Sequence, residues 1–206
     1  MSIPKHIEDA INHYIPHQDG WTTPERCIEM VDRILEIKAQ VSVDIGVFAG
    51  RSTIAMGFAA RELGNAIVYG IDPWHVGIAQ ESDDNPEGVD WWKDKADLER
   101  IHSQAMRDIW AHNLEQWVVI IRSRSEYCDK LFTEIDVLNI DGAHGKVASC
   151  RDVMTYLPKV RSGGILFMDD TAWPSTQEAV KLIEQQCDLV RTMNEPNTES
   201  RTYRKR

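Results

Sequence analysis

The chain has 206 residues, which suits one domain with a substantial core and is short for two independent domains. Acidic residues outnumber basic ones by 33 to 23, and the net charge of −10 argues against nucleic acid or an anionic membrane surface as a partner. Four scattered cysteines without a CxxC pair, no apolar signal core and no run of about 20 apolar residues lead us to expect a soluble, cytoplasmic protein without a zinc or disulfide framework.

The predicted elements alternate between helix and strand. Within an N-terminal lead-in over residues 1–40, TTPERCIEMVDRILEIKAQ has threonine caps, an early proline and the apolar spacing of an amphipathic helix. Further on, strands are predicted at 41–47, 66–72, 117–123, 135–141 and 163–170, helices at 51–63, 94–112, 146–160 and between 173 and 186, and a hairpin from 187 to 206. This alternation predicts a single α/β domain with a doubly wound, mostly parallel sheet and helices on both faces.

Residues 74–93 form a predicted insertion after the second strand. The stretch is polar, rich in turn residues and too long for an ordinary connection, and it contains Trp74, Trp91 and Trp92. We interpret it as a lid that excludes water and offers flat aromatic surface to a substrate. The alternative is a small satellite core beneath a long loop, and the two interpretations are compatible.

The turn after the first strand has the composition of a nucleotide-binding turn. In VDIGVFAGRS, Gly46 and Gly50 let the backbone approach a ligand, but Phe48 occupies the second glycine position of the dinucleotide fingerprint. A ligand without a pyrophosphate therefore fits better. Asp72, at the end of the second strand, is placed to accept hydrogen bonds from two ribose hydroxyls. The alternative is a tight turn and an acid that caps a helix.

Three carboxylates follow two predicted strands: Asp141 after one, and Asp169 and Asp170 after the other. If the two strands are neighbours, the carboxylates converge, and an all-oxygen site favours Mg²⁺, Ca²⁺ or Mn²⁺. The alternative is solvated strand ends or helix caps. His144 is a candidate general base, with Asp141 as a rival, or it is a histidine that only orients a carboxylate.

The segments VDIGVFAGRS, YGIDPW, DVLNIDGAHG and GGILFMDDT, in this order and spacing, resemble the class I S-adenosylmethionine-dependent methyltransferases. More narrowly, they are similar to the metal-dependent small-molecule O-methyltransferases typified by macrocin O-methyltransferase. The resemblance implies a Rossmann-like seven-stranded sheet and a metal ion, Mg²⁺ or another divalent cation, at Asp141, Asp169 and Asp170. The cofactor-binding candidates that it implies are Asp44, Gly46, Phe48, Gly50, Ser52, Asp72, Ser123 and Ser125. Arg124 departs from the acid that members often carry before the serine.

These observations predict an enzyme that transfers a methyl group from S-adenosylmethionine to a hydroxyl of a small molecule, either a sugar of a natural product or a vicinal diol such as a catechol. A homodimer could complete the acceptor pocket. Two alternatives stay open. One is an oxidoreductase or hydroxylase-like relative on the same kind of sheet, although Phe48 argues against a nicotinamide dinucleotide. The other is a non-catalytic nucleotide-binding module.

Overall fold

The computed structural model describes residues 3–81, 86–142, 144–195 and 198–206. Within these residues the strands are β1 Val41–Ile45, β2 Ile67–Ile71, β3 Val118–Ile121, β4 Ile135–Ile140, β5 Val160–Met168, β6 Cys187–Glu195 and β7 Thr198–Lys205. The α-helices are α1 Lys5–Tyr14, α2 Pro24–Ile37, α3 Arg51–Leu63, α4 Val76–Glu81, α5 Pro86–Asp94, α6 Leu98–Ala111, α7 Lys146–Tyr156 and α8 Gln177–Glu184.

The strands form one sheet in the order β3-β2-β1-β4-β5-β7-β6. The pairs among β1 to β5 are parallel, whereas β7 runs antiparallel to both β5 and β6. The predicted Rossmann-like, mostly parallel seven-stranded sheet with helices on both faces is confirmed. The predicted adjacency of the two acid-bearing strands is also confirmed, because β4 pairs with β5 and Ile140 lies opposite Met168.

The strands are apolar on both faces because helices cover both. Alternation along β4 sends Val137 into the core beneath α1, α2 and α3, and Leu138 into the core beneath α7 and α8. β5 repeats the pattern, with Phe167 on the first side and Leu166 on the second. The same alternation indicates the face of the sheet toward which a polar residue at the end of a strand points.

Two predicted boundaries differ from the structure. Strand β5 begins at Val160, three residues before the predicted start at 163, and Gly163 and Gly164 lie inside it, where Gly163 has φ +77° beside a register shift against β4. The insertion is more helical than its turn-rich composition indicated, since it contains α4 and α5. Residues 82–85 of the insertion lie outside the described residues.

All four cysteines are free thiols, and Cys27, Cys128 and Cys187 are buried. Among the described residues, we find no helix that has both the length and the apolar character needed to span a bilayer.

Candidate active site

The carboxyl ends of β1, β2 and β4 open into a cavity of about 500 Å³, at the sheet edge where ligands bind in open α/β folds. Of the predicted site residues, Gly46, Phe48, Ser52, Asp72, Ser125, Asp141, His144, Asp169 and Asp170 line this cavity. Asp44, Gly50 and Ser123 are not in its lining. The structure therefore brings the nucleotide-type turn and the acids together in one space.

The turn after β1 is fixed by backbone contacts. Gly46 has φ +94°, and a Cβ atom at this position would lie 2.2 Å from the carbonyl oxygen of Asp141. Phe48 adopts the left-handed region at φ +48°, which is strained for a residue with a side chain. Its N–H donates to Asp72 at 2.9 Å, and its carbonyl accepts from the indole N–H of Trp74 at 2.9 Å. Glycine is therefore required at position 46 because the end of β1 approaches the end of β4 too closely for a side chain.

Asp72 anchors this turn to the end of β2. Its Oδ2 accepts the N–H of Phe48, and its Oδ1 accepts the N–H of Trp74 at 2.7 Å. Burial raises the pKa of Asp72 to about 6, against the opposing effect of these two hydrogen bonds and with a smaller contribution from the charge of Asp44. Each carboxylate oxygen retains a lone pair that can accept a hydroxyl from the cavity.

Asp44 lies beneath the turn and has no exposed surface. Its carboxylate accepts hydrogen bonds from Ser52 at 2.8 Å, Thr53 at 2.5 Å and the side-chain amide of Asn139 at 2.7 Å. All three donors come from the protein, so Asp44 acts by holding the start of α3 against β4. A direct contact between Asp44 and a ligand does not follow from this geometry.

Ser125 sits on the loop after β3 and is held by α7. Its hydroxyl donates to Asp152 at 2.6 Å, and its carbonyl accepts the hydroxyl of Tyr156 at 2.6 Å. Burial raises the pKa of Asp152 to about 6, although the Ser125 hydrogen bond opposes this. Arg124 pairs with Glu126 at 3.1 Å, and both line the cavity. Position 124 lacks the acid that the resembled family often carries there, but two other acids, Glu126 and Asp152, lie near Ser125 in the cavity lining.

The three predicted metal ligands lie near one another, since the charges of Asp169 and Asp170 both raise the pKa of Asp141, but they have different partners. Asp141 and Asp169 continue the parity of Val137 and Phe167 and lie toward the α2 face of the sheet. Asp170 lies beyond the end of β5 and has a left-handed backbone at φ +51°, so the alternation of the strand does not assign its side chain to a face. Its Oδ2 lies 2.7 Å from Nδ1 of His144, and its Oδ1 accepts the hydroxyl of Thr198 at 2.5 Å.

Arg26 of α2 occupies the space beside the other two acids. Its side chain is only 2% exposed, and Nη1 lies 2.6 Å from Oδ1 of Asp169 and 3.9 Å from Oδ2 of Asp141. Nη2 donates to the side-chain carbonyl of Asn139 at 3.3 Å, and Asn139 in turn donates to Asp44. A buried guanidinium thus links the acids to the network beneath the cofactor-type turn.

The two acids respond differently to this cation. Burial opposes ionisation of Asp169, but the Arg26 guanidinium and hydrogen bonds outweigh it and lower the pKa of Asp169 to about 2. For Asp141, burial and then the negative charge of Asp169 raise the pKa well above its usual range, and Arg26 offsets only part of this. Beside the same guanidinium, the pKa of Asp169 is therefore lowered and the pKa of Asp141 is raised.

These residues do not fit the predicted divalent cation. Arg26 already contacts Asp169 at 2.6 Å and would repel a dication bound to the same acids by about 8 kcal/mol at a separation of about 4 Å and an effective dielectric constant of about 20, which the attraction of the ion to the carboxylates would have to exceed. Arginine cannot relieve this repulsion by losing its proton. Across the described residues, no group of three or more His, Cys, Asp or Glu side chains is arranged to hold a metal ion. The metal site expected at Asp141, Asp169 and Asp170 is not supported.

The N-terminal lead-in contributes a wall of the cavity that the sequence did not indicate. Arg51 donates to the carbonyls of Gln18 and Thr22 and so ties this segment to the start of α3. Between them, Trp21 stacks on Phe48 at 5.1 Å between ring centroids and meets Trp91 edge-on at 5.3 Å. We call Trp21, Phe48 and Trp91 the aromatic wall.

The tryptophans of the insertion divide between the two roles considered for it. Trp74 is buried with Val47 and Ile101 in a small core of its own, Trp91 lines the cavity, and Trp92 both lines the cavity and packs against that core. Sequence reasoning also missed other cavity residues, namely Trp21, Glu126, Arg151, Asp152, Trp173 and Thr198. A signal existed for Trp21, because a large aromatic residue follows a glycine just before a helix start.

A comparison with protein families decides the class of the chain. The sequence profile of a family described as a methyltransferase domain matches residues 43–171, which is more than half of the chain. The protein belongs to this methyltransferase family. The match begins in β1 and ends just after Asp170, so this methyltransferase has the nucleotide-type turn and the acids within the family region. Membership favours a methyl-transferring enzyme over the oxidoreductase and the non-catalytic module.

Solved structures of other methyltransferases share the fold. The O-methyltransferase TomG from Streptomyces achromogenes, in complex with S-adenosylmethionine, is 11% identical with a TM-score of 0.67, over 98% of this chain and 90% of that one. The methyltransferase PaMTH1 from Podospora anserina, bound to S-adenosylhomocysteine, is 14% identical with a TM-score of 0.64, over 100% and 90%. An O-methyltransferase from Bacillus cereus is 13% identical with a TM-score of 0.62, over 98% and 93%. These similarities establish the methyltransferase fold.

Proposed function

We propose that the protein transfers a methyl group from S-adenosylmethionine to a hydroxyl oxygen of a small molecule. One observation carries the proposal: Asp72 and Asp141 line the same cavity at the ends of β2 and β4, the two neighbours of β1, which leads into the Gly46 turn. A ligand whose ribose is held by Asp72 then has its sulfonium near the acids. Structural neighbours described as O-methyltransferases support an oxygen acceptor.

The cofactor is placed by backbone and carboxylate groups. Asp72 accepts the two ribose hydroxyls, and the turn from Gly46 to Ser52 surrounds the methionine part. Ser125 borders the adenine, and Asp152 or Glu126 accepts a hydrogen bond from its exocyclic amine. In the proteins that the sequence resembles, an acid at the position of Arg124 would supply this acceptor. The cavity of about 500 Å³ lies within the usual range for a small-molecule site.

The transfer is a direct displacement. The acceptor oxygen attacks the methyl carbon, the sulfur–carbon bond breaks with its electron pair going to sulfur, and the hydroxyl proton passes to a base in the cavity. His144 and Asp141 both line the cavity and both remain candidates for this base. The contact between His144 and Asp170 orients the imidazole, whichever of the two accepts the proton. The predicted Mg²⁺ has no part in this mechanism.

The acceptor is proposed to stack against the aromatic wall. Trp21 keeps 64% of its surface exposed although it lines the cavity, which leaves a flat apolar face for a ring. Trp173 lies against His144 at 5.3 Å between ring centroids and extends this surface toward the acids. A planar acceptor with a hydroxyl, such as a catechol, or a sugar that packs on indole satisfies this geometry.

Isothermal titration calorimetry with S-adenosylmethionine and S-adenosylhomocysteine tests the proposal. We expect both to bind and NADH not to bind. Mass spectrometry of a library of phenols, catechols and glycosides should then detect a methyl-sized gain on at least one acceptor. Absence of binding for both sulfur compounds would refute the assignment.

Cofactor affinity should weaken as the pH falls. Because burial raises the pKa of Asp72 to about 6, acidification protonates the carboxylate that accepts the ribose hydroxyls. The Kd of 5′-methylthioadenosine, which lacks the titrating amino-acid part, should rise about tenfold from pH 7.5 to pH 5. Because the pKa of Asp152 is also raised to about 6, the measurement is repeated with Asp152→Asn, and a dependence that persists in this variant is assigned to Asp72. A Kd that stays constant over this interval would contradict the role of Asp72.

Trp21→Ala should weaken acceptor binding selectively. Loss of one stacking face corresponds to about 0.5–1.5 kcal/mol, so the KM of the acceptor should rise roughly 2- to 13-fold, and the Kd of the cofactor should change less than about twofold. Trp110→Ala is the matched control, because Trp110 is equally exposed at 67% and lies outside the cavity. Equal effects of the two substitutions would argue against the aromatic wall as the acceptor site.

A further inference from the structure

The guanidinium of Arg26 lies beside two acids, Asp141 and Asp169, whose negative charges favour a cation between them. Asp141 and Asp169 lie at the ends of neighbouring parallel strands, and their charges raise the cost of bringing the two side chains together. Nη1 of Arg26 contacts Asp169 at 2.6 Å and reaches Asp141 at 3.9 Å. The cation is therefore part of the chain.

We propose that Arg26 replaces the divalent cation of this carboxylate cluster, so that methyl transfer, if it is the function proposed above, proceeds without a metal ion. Arg26 does not line the cavity, so it acts as a positioning residue and does not touch the acceptor. It contacts Asp169 directly and Asp141 at a longer distance, and so holds both side chains at the cavity edge.

The placement of Arg26 is secured from the helix and from the sheet. Its backbone N–H donates to the capping hydroxyl of Thr23, which sets the first turn of α2. Its Nη2 reaches Asn139, which bridges to Asp44 and so to the start of α3. The backbone of Arg26 is fixed by Thr23 and its guanidinium by Asn139, and the side chain is almost fully buried. We therefore expect the guanidinium to keep one position relative to the acids.

The third acid is satisfied separately. Asp170 has His144 on one oxygen and Thr198 on the other, although its charge still acts on Asp141. A metal ion would have to displace both the guanidinium and these partners. Removing only the positive charge of Arg26 should therefore expose two carboxylates and create affinity for a hard cation.

The test compares Mn²⁺ binding by the wild-type chain, Arg26→Lys and Arg26→Met, measured by electron paramagnetic resonance and by calorimetry. Arg26→Met removes the charge and keeps the length and the apolar stem, and Arg26→Lys keeps the charge. We expect wild type and Arg26→Lys to bind Mn²⁺ weakly or not at all, and Arg26→Met to bind it at least roughly tenfold more tightly. Wild-type methyl transfer should change less than about twofold in EDTA.

Circular dichroism establishes whether each variant is folded. Stoichiometric Mn²⁺ binding by the wild-type protein would overturn the proposal, as would a folded Arg26→Met variant that gains no affinity. If Arg26→Met does not fold, the wild-type titration and the EDTA assay decide the matter. Binding of S-adenosylmethionine is measured separately, so failure of the proposed function is distinguishable from failure of this inference.

Discussion

Gly46→Ala is expected to destabilise the protein and abolish cofactor binding. The new Cβ would lie 2.2 Å from the Asp141 carbonyl oxygen and 2.6 Å from Cα of Gly142, so two strand ends would have to separate. Backbone displacement costs about 1–3 kcal/mol, and the positive φ adds about 1–2 kcal/mol. The midpoint of thermal unfolding should fall by on the order of 10 °C. S-adenosylmethionine should give no measurable heat, because Asp72 and Phe48 are aligned by this turn.

Gly64→Ala is the matched control for this prediction. Gly64 also has a positive φ, +78°, but nothing lies within 4 Å of the position that its Cβ would take. It ends α3 far from the cavity lining. Its replacement should therefore cost only the conformational penalty of about 1–2 kcal/mol and leave the Kd unchanged. Similar stability losses in the two variants would show that the contact with Asp141 is unimportant.

Asp72→Asn should weaken S-adenosylmethionine binding by about 100-fold or more. Both oxygens of Asp72 accept backbone N–H groups, from Phe48 and Trp74, so an amide would place an N–H donor against another donor. The turn loses one bond, at about 1–3 kcal/mol, and the ribose loses a charged acceptor, at about 1.5–3 kcal/mol. Calorimetry on the purified variant measures the change directly.

Asp97→Asn is the appropriate comparison. Asp97 also accepts a backbone N–H, from Arg100, but it caps α6 in an exposed position outside the cavity. Asparagine caps helices about as well as aspartate, so stability and cofactor Kd should both stay near the wild-type values. An Asp72→Asn variant that binds the cofactor as tightly as this control would contradict the assignment of the ribose site.

Much of the fold could be predicted because the strands are buried on both faces and separated by amphipathic helices. Short apolar runs ending in an acid indicated β2, β4 and β5, and their parallel order followed from the alternation. Boundaries were less accurate where local signals conflicted. Gly163 and Gly164 are typical of a helix stop, but pairing with β4 holds them in β5. Turn-rich composition likewise concealed the short helix α4.

The site was less predictable because its central contact is tertiary. The carboxylates could be placed at one sheet edge from the strand ends alone. Which of them Arg26 meets depends on how α2 crosses β4 and β5, and helical periodicity contains no information on that crossing. The available signal was that Arg26 lies one turn before Met30, on the buried face of α2. A charged residue on such a face requires a partner.

The ion pair between Arg26 and Asp169 also leads to an expectation about homologous sequences. A single amino-acid position on a helix, distant in sequence from both acids, sets the charge available to the pair. Homologues that retain aspartates at the positions of Asp141 and Asp169 but carry a neutral residue at that of Arg26 should be the ones whose catalysis depends on added magnesium or manganese. The residue at this one position of an alignment would then distinguish metal-independent from metal-dependent enzymes of the same fold.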